Sequence, residues 1–206
     1  MSPADASLTR DQVLAAAEDV IRRFGATKAT VVDVARALGL SHASVYRHVA
    51  TKADLRDLVV GRWMEATMPP LRAIAAEPGA APQRLRRLID ALVAVKRRRA
   101  ADDPELFAAY RTLAANAKSV VAAHVEELVE LTATVIRLGV KQGKFRVVEP
   151  AAAARAVLFA TSRFHHPAHA AEWVEPAIDE AYDDVWRLLM DGLRVAKRPV
   201  SRGRRP

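Results

Sequence analysis

The stretch TVVDVARALGLSHASVYRHVATKADL, residues 30–55, decides the fold of this chain. It is typical of two short helices joined by a turn, because Thr30 can cap the first helix and Ser41 can cap the second. Gly39 provides a turn residue that tolerates a positive φ angle. Ala35 is small enough to let the two helices approach each other closely. Together these features predict a helix-turn-helix.

The second of the two helices is unusual because residues 38–52 contain no Asp or Glu. Val45 and Val49 can anchor this helix to a core, which leaves the other side chains facing outward. Hydrogen-bond donors, small residues and one aromatic ring suit phosphates and base edges in a DNA major groove. The outward residues are predicted to be Ser41, His42, Ala43, Ser44, Tyr46, Arg47 and His48. An ordinary polar helical hairpin remains the alternative interpretation.

Composition and periodicity indicate an all-α protein. The 206 residues include only 8 Gly and are rich in the strong helix formers Ala, Leu, Arg and Glu. Apolar residues recur at helical spacing along most of the chain, which predicts about nine helices. We expect an N-terminal three-helix domain over residues 1–55, a larger helical domain over residues 56–196, and a basic disordered tail over residues 197–206.

The net charge of +8 does not by itself locate a nucleic-acid site. Residues 1–60 hold 8 Lys and Arg against 7 Asp and Glu, whereas residues 61–148 hold 15 against 9. The basic excess therefore lies mainly outside the predicted helix-turn-helix. A protein that coats nucleic acid through charge alone is consequently a weaker interpretation than a sequence reader, although it stays open.

Several function classes lack support in the sequence. The chain has 0 Cys, so neither a disulfide framework nor a thiolate nucleophile is available. It shows no Gly-rich phosphate loop and no apolar run long enough to cross a membrane. We therefore expect a cytoplasmic protein that is not an enzyme and that carries no cofactor.

Three histidines lie close together in the sequence, at His165, His166 and His169. His165 and His169 are four residues apart, a spacing that can place two metal ligands on one helix face. Pro167 interrupts the helix between them, and histidine is also favoured at a helix C-terminus by the helix dipole. We expect a helix end without metal, with a metal site or a metal-dependent enzyme as the alternative.

The run from Lys96 to Arg99 is the densest cluster of charge. It is predicted to be a solvated helix end, stabilised by the negative end of the helix dipole. The alternative is a contact with an anionic effector or with nucleic acid.

Beyond residue 60, apolar side chains at helical spacing are candidates for a ligand pocket. Each of them is also an ordinary core candidate. The candidate pocket residues are Trp63, Met64, Met68, Phe107, Tyr110, His124 and Phe164.

The region from Leu14 to Leu58 resembles the DNA-binding domain of the TetR family, most clearly over residues 30–55. Val49 departs from the pattern, since many members carry Phe there, but either side chain can fill the core position. Further along, QGKFRVVEPAAAA resembles the family's approach to its penultimate helix. Eight residues stand at the family's motif spacing: Thr30, Ala35, Gly39, Ser41, Tyr46, His48, Lys52 and Leu55.

This resemblance implies a homodimeric transcriptional regulator, usually a repressor, whose larger domain binds a small-molecule effector. The last two long helices would form the dimer, and the partner would be a palindromic double-stranded operator, with no membrane involved. An activator or an effector-independent regulator is the alternative. The implied DNA surface comprises Thr30, Ser41, His42, Ala43, Ser44, Tyr46, Arg47, His48 and Lys52, together with Arg10 as a candidate phosphate contact.

Overall fold

The computed structural model describes residues 8–146 and 149–195, and within these ranges the protein is mainly helical, with loops between the helices and one isolated β-bridge between Phe145 and Arg194. The predicted all-α fold class is confirmed. Eleven α-helices and one 3-10 helix are present in the described ranges. The α-helices are α1 (Arg10–Phe24), α2 (Val31–Leu38), α3 (His42–Tyr46), α4 (Lys52–Glu65), α5 (Met68–Ala76), α6 (Ala81–Asp102), α7 (Pro104–Ala114), α8 (Lys118–Lys141), α9 (Pro150–Ala160), α10 (Ser162–His165) and α11 (Ile178–Leu193), and the 3-10 helix is Pro167–Val174.

The first helices are fixed by local capping interactions. The Thr9 side chain accepts a hydrogen bond from the Gln12 backbone N–H, and the Gln12 side chain accepts one from the Thr9 N–H. This reciprocal arrangement satisfies two N–H groups that a helix start would otherwise leave unpaired. The apolar face of α1, including Val13 and Ala17, is fully buried against α2, α4 and α7.

A second hydrophobic core lies among the longer helices α5, α6, α8, α9 and α11. Leu85, Leu92 and Ile136 are among its fully buried side chains. Tyr182 of α11 packs against Phe164 with a ring-centroid distance of 5.0 Å, and its hydroxyl donates to Asp90 of α6 at 2.8 Å. These contacts attach the last helix to α10 and to α6.

The described residues contain more helices than the nine predicted, because two of the predicted helices are divided and an additional 3-10 helix, Pro167–Val174, lies between α10 and α11. The helix predicted to run from Thr51 to Ile74 stops at Glu65, and α5 begins at Met68. Pro69 and Pro70 cannot donate backbone hydrogen bonds, so the α4 ladder cannot continue through them. The helix expected over residues 150–164 is likewise divided, with a break at Thr161.

The predicted domain limits at residues 55 and 196 remain predictions. Helix α4 spans the first of these limits, and the basic tail, residues 197–206, lies outside the described residues. No helix in the described ranges is both long enough and apolar enough to cross a membrane.

Candidate nucleic-acid interface and internal pocket

Side-chain caps define the starts of the two short helices. Thr30 caps α2, where its hydroxyl accepts a hydrogen bond from the Asp33 N–H at 3.2 Å. The same hydroxyl donates to the Asp33 carboxylate at 2.6 Å, and this hydrogen bond lowers the pKa of Asp33. Thr30 is thus occupied within its own helix and only partly exposed.

The turn between α2 and α3 depends on Gly39. Its φ and ψ angles of 65° and 27° lie in the left-handed region, which glycine adopts without steric penalty. The Leu40 N–H donates to the Ala35 carbonyl at 3.0 Å and closes the end of α2. Ala35 itself is fully buried, as expected for the residue at which the helices approach.

Helix α3 presents most, but not all, of the predicted side chains to solvent. Five of them are exposed: Ser41, His42, Ala43, Tyr46 and Arg47. His48 is partly exposed.

The prediction that Ser44 faces outward is wrong. Ser44 has 0% exposure, its backbone N–H donates to the Ser41 hydroxyl, and the two hydroxyls lie 2.8 Å apart. It lies beside Val45, which is also fully buried. The inward side of α3 therefore consists of one polar residue, Ser44, and one valine, Val45.

Two predicted phosphate contacts come from outside α3. Arg10 begins α1 and lines a shallow groove together with Tyr46, Arg47 and His48. Lys52 begins α4, and its ammonium group donates to the Thr27 carbonyl at 2.8 Å. The fold thus brings Arg10 to the exposed edge of α3, although the two are separated by more than thirty residues.

A pocket of about 710 Å³, which we call the internal pocket, lies among α4, α6, α7, α8 and the segment around the histidines. It opens to solvent beside the exposed residues Arg111, Val125 and His166. Its size falls in the range that small-molecule sites occupy. The wall is mostly apolar, with Met64, Val121, Val125 and Leu128 contributing the larger hydrophobic side chains.

The pocket contains three of the seven predicted ligand residues, namely Met64, Tyr110 and His124. The other four are buried core residues that do not line it. They are Trp63, Met68, Phe107 and Phe164. For these four the ordinary core interpretation applies, and Trp63 and Phe107 pack together at a centroid distance of 5.7 Å.

The prediction of a solvated helix end at Lys96 to Arg99 is wrong for most of the run. Lys96 is only 5% exposed and lines the pocket. Arg97 forms an ion pair with Asp179 at 2.6 Å, and the Arg99 guanidinium stacks on the Trp63 ring. Of the four residues, Arg98 alone is exposed. The signal was available in the sequence, because Lys96 follows Leu92 by four residues and continues its apolar face.

The three clustered histidines separate into different environments. His165 is buried and faces the Thr161 hydroxyl at 3.3 Å, whereas His169 contacts the Glu172 carboxylate at 2.7 Å. The His166 ring accepts a hydrogen bond from the Ala168 N–H. Within residues 8–146 and 149–195, no three His, Cys, Asp or Glu side chains are grouped as metal ligands.

Burial controls the protonation of the pocket histidines. Desolvation, assisted by the nearby Lys96 ammonium, lowers the pKa of His124 to about 4 and that of His165 to about 3. Both imidazoles are therefore neutral at pH 7. Desolvation also raises the pKa of Tyr110 to about 12, so its hydroxyl keeps its proton.

Comparison with family models gives two matches along the chain. Residues 13–59 match "Bacterial regulatory proteins, tetR family", and residues 81–186 match "Tetracyclin repressor-like, C-terminal domain". Comparison with curated protein sequences gives no significant match.

Solved structures of similar fold include several regulators. SmeT, the repressor of the Stenotrophomonas maltophilia multidrug efflux pump SmeDEF, is 17% identical over 96% of both chains, with a TM-score of 0.66. A TetR transcription regulator from Haloarcula marismortui is 19% identical over 90% of this chain and 98% of its own, with a TM-score of 0.70. A TetR/AcrR regulator from Thermobifida fusca is 24% identical over 90% and 98%, with a TM-score of 0.61.

Proposed function

The chain belongs to the TetR family of bacterial regulatory proteins, and we propose that it is a sequence-specific transcriptional repressor released from its operator by a small-molecule effector. The observation that carries this proposal is the exposed surface of α3, which offers donors, a methyl group and an aromatic ring and contains no carboxylate. Carboxylates would repel the phosphates on either side of a major groove.

The chemistry of the exposed side chains supports a division of roles. His42 and Ala43 lie in the first turn of α3, and we assign them to base edges, with Ala43 suited to a thymine methyl. Arg47 suits guanine or a phosphate. Tyr46, Lys52 and Arg10 suit phosphates, which fix affinity and register rather than sequence preference.

Two of the predicted DNA contacts change in role. Thr30 and Ser41 cap helices through their hydroxyls, so each can contribute to DNA binding mainly by fixing the helix that carries it. Ser44 is removed from the proposed surface because it is buried.

The proposed homodimer uses the outer faces of α9 and α11. These helices expose two large hydrophobic side chains, Phe159 at 85% and Leu188 at 75%. Neighbouring alanines on α9, among them Ala152, Ala156 and Ala160, are also exposed and would allow a second copy to approach closely. A dimer of this kind would place two copies of α3 against the half-sites of a palindrome.

The proposed effector site is the internal pocket, which is joined to the DNA-binding helices through α4. Met64 lines the pocket and belongs to α4, the helix that begins at Lys52. A ligand that favours a different position of α6 or α7 would therefore also displace α4. Triclosan occupies the structurally similar SmeT in one solved complex.

Two alternatives make different predictions. A protein that coats nucleic acid through charge would bind all duplexes with similar affinity and a steep dependence on salt. An activator or an effector-independent regulator would read DNA in the same way, but its operator binding would not be released by a ligand.

The test is a selection of bound sequences from a random duplex pool with the purified full-length protein. Enrichment of a palindrome with half-sites about one helical turn apart would support a dimeric operator reader. An unenriched pool after repeated rounds would refute the proposal.

A further inference from the structure

The charged lining of the internal pocket is entirely basic. The titratable nitrogen groups on its wall are Lys96, Arg111, His124, His165 and His166, and no carboxylate of the described chain lines it. The Glu65 carboxylate lies outside the pocket wall, close enough for its charge to favour the protonated form of His124. However, Glu65 is already paired with Arg72 at 2.5 Å. The pocket is therefore positive without an internal counterion.

Lys96 is the most informative of these groups. The residue is 5% exposed and has no hydrogen bond and no ion pair with any part of the chain that the structure describes. Its ammonium nitrogen is not one of the fully enclosed unpaired atoms, so its small accessible surface faces the pocket that it lines. Buried ammonium groups are normally paired, because an unpaired charge loses its hydration without compensation. His124 also lines the pocket, but its unpaired Nε2 is enclosed and does not face the open space, so Lys96 is the buried group that a ligand can reach.

The neighbouring groups limit the charge that the pocket can accept. His124 and His165 are neutral at pH 7 because burial depresses their pKa values to about 4 and about 3. Lys96 keeps its proton under the same conditions, with its pKa lowered to about 8 by burial. Arg111 is exposed and so remains hydrated. One buried positive charge can be balanced by one negative charge, whereas a dianion would be left partly uncompensated.

The rest of the wall defines the body of the ligand. Met64, Val121, Val125 and Leu128 are apolar, and Ala108 and Ala115 add small apolar surfaces. A sugar or a nucleotide would leave several hydroxyl or phosphate groups facing these side chains without partners. The wall favours a hydrocarbon or aromatic body joined to one anionic group.

We propose that the effector is an apolar monocarboxylate whose carboxylate pairs with Lys96. The inference rests on the proposed function, because it assigns a chemical class to the effector of the same pocket. Tyr110 lies on the same wall, and its hydroxyl makes no hydrogen bond with the described residues, so it offers a further donor to the carboxylate.

The test is calorimetric titration of the full-length protein with decanoate and 2-naphthoate, each compared with its neutral amide. The variants are Lys96→Met, which keeps length but removes charge, and Lys141→Met, a control on an exposed lysine at the far end of α8. Decyl phosphate supplies a dianionic probe. Circular dichroism verifies that each variant is folded.

We expect the wild-type protein and Lys141→Met to bind at least one carboxylate at least tenfold more tightly than its amide. In Lys96→Met this preference disappears, while affinity for the amide is kept or increased. The wild type binds decyl phosphate more weakly than decanoate. The proposal is overturned if carboxylate and amide bind the wild type equally, if Lys96→Met keeps the preference, if the phosphate binds more tightly, or if neither carboxylate binds.

DNA binding separates this inference from the proposed function. Selection of a palindrome without carboxylate binding would leave the operator reader standing and refute the assigned effector class. Carboxylate binding that depends on Lys96, without selection of any DNA sequence, would support the pocket chemistry and refute the repressor.

Discussion

The guanidinium of Arg99 lies 4.7 Å from the centre of the Trp63 ring and donates a hydrogen bond to the Trp63 carbonyl at 3.2 Å. This double contact fastens the C-terminal part of α6 to α4. Lys96 precedes Arg99 by three residues on α6, so the pocket cation and the Arg99 contact occupy adjacent turns of one helix. Trp63 also stacks on Tyr110 at a centroid distance of 4.1 Å, and Tyr110 lines the pocket.

We predict that Arg99→Met uncouples the pocket from the DNA-binding helices. The substitution keeps an apolar chain beside Trp63 but removes the cation–π contact and the hydrogen bond, and it should lower the free energy of unfolding by about 1–2 kcal/mol. Arg98→Met, at the exposed neighbouring position, should change it by less than about 0.5 kcal/mol. Urea denaturation measures both values.

The functional part of this prediction concerns release from DNA. Arg99→Met should keep operator affinity within about threefold of wild type, yet lose most of the weakening that a bound effector causes. Fluorescence anisotropy measures operator affinity with and without the carboxylate ligand, and the ratio of the two affinities gives the coupling. Full release in Arg99→Met would mean that coupling follows another route.

A second prediction separates base contacts from phosphate contacts. Lys52→Ala should weaken binding about tenfold on every duplex and reduce the slope of affinity against salt by about one ion, because it removes one phosphate contact. His42→Ala should instead change the preferred base at one position of each half-site. Lys28→Ala serves as the control on a nearby exposed lysine. If Lys52→Ala and His42→Ala both lost the same binding affinity on every operator variant, the assigned roles would be wrong.

A third prediction concerns the stability effect of the buried Lys96 charge. Burial lowers its pKa in the folded protein from 10.5 to about 8, so the folded state disfavours the ammonium form. The resulting destabilisation is fully present at pH 7 and disappears as the pH rises from about 8 to above 10.5. Lys96→Met should therefore be more stable than wild type at pH 7 by up to about 3 kcal/mol.

The measurement is urea unfolding at a series of pH values between 7 and 10.5. The stability difference between Lys96→Met and wild type should shrink steadily across this range, while Lys141→Met follows the wild type throughout. A difference that stays constant with pH would show that Lys96 is solvated in the folded protein.

A fourth prediction tests the proposed dimer. Replacing Phe159 and Leu188 together by Glu places two charges on the outer faces of α9 and α11, where a second copy would have to desolvate them. We expect light scattering to find the wild type as a dimer and the double variant as a monomer. Phe24→Glu, on a half-exposed phenylalanine of α1, should remain a dimer. A dimeric double variant would move the interface to another surface.

The helix-turn-helix could be predicted from the sequence because the interactions that form it join residues close together along the chain. Caps at Thr30 and Ser41, a left-handed glycine at Gly39 and a small residue at Ala35 each act within a few residues of the chain. The same reasoning failed for Ser44, whose burial depends on how the short α3 lies against the neighbouring helices.

The internal pocket was harder to predict because its wall combines five separate segments. Spacing alone identified Met64, Tyr110 and His124 but gave no means of separating them from core residues such as Met68. The position of Lys96 on the apolar face of α6 was the missed signal. The density of charge from Lys96 to Arg99 suggested that Lys96 is exposed to solvent. Its position on the apolar face of α6 indicated instead that it is buried, and the structure agrees with the second indication.

The central claim is that this protein recognises a specific DNA sequence and does not bind DNA through its net charge alone. It is tested most directly by the ratio of its affinities for the selected palindrome and for a scrambled duplex of equal length, measured at about 0.15 M salt. We predict a ratio of about 10³ or more, with His42→Ala lowering the ratio and Lys52→Ala leaving it unchanged. A ratio near one would contradict the account, because the protein would then bind DNA through its net charge alone.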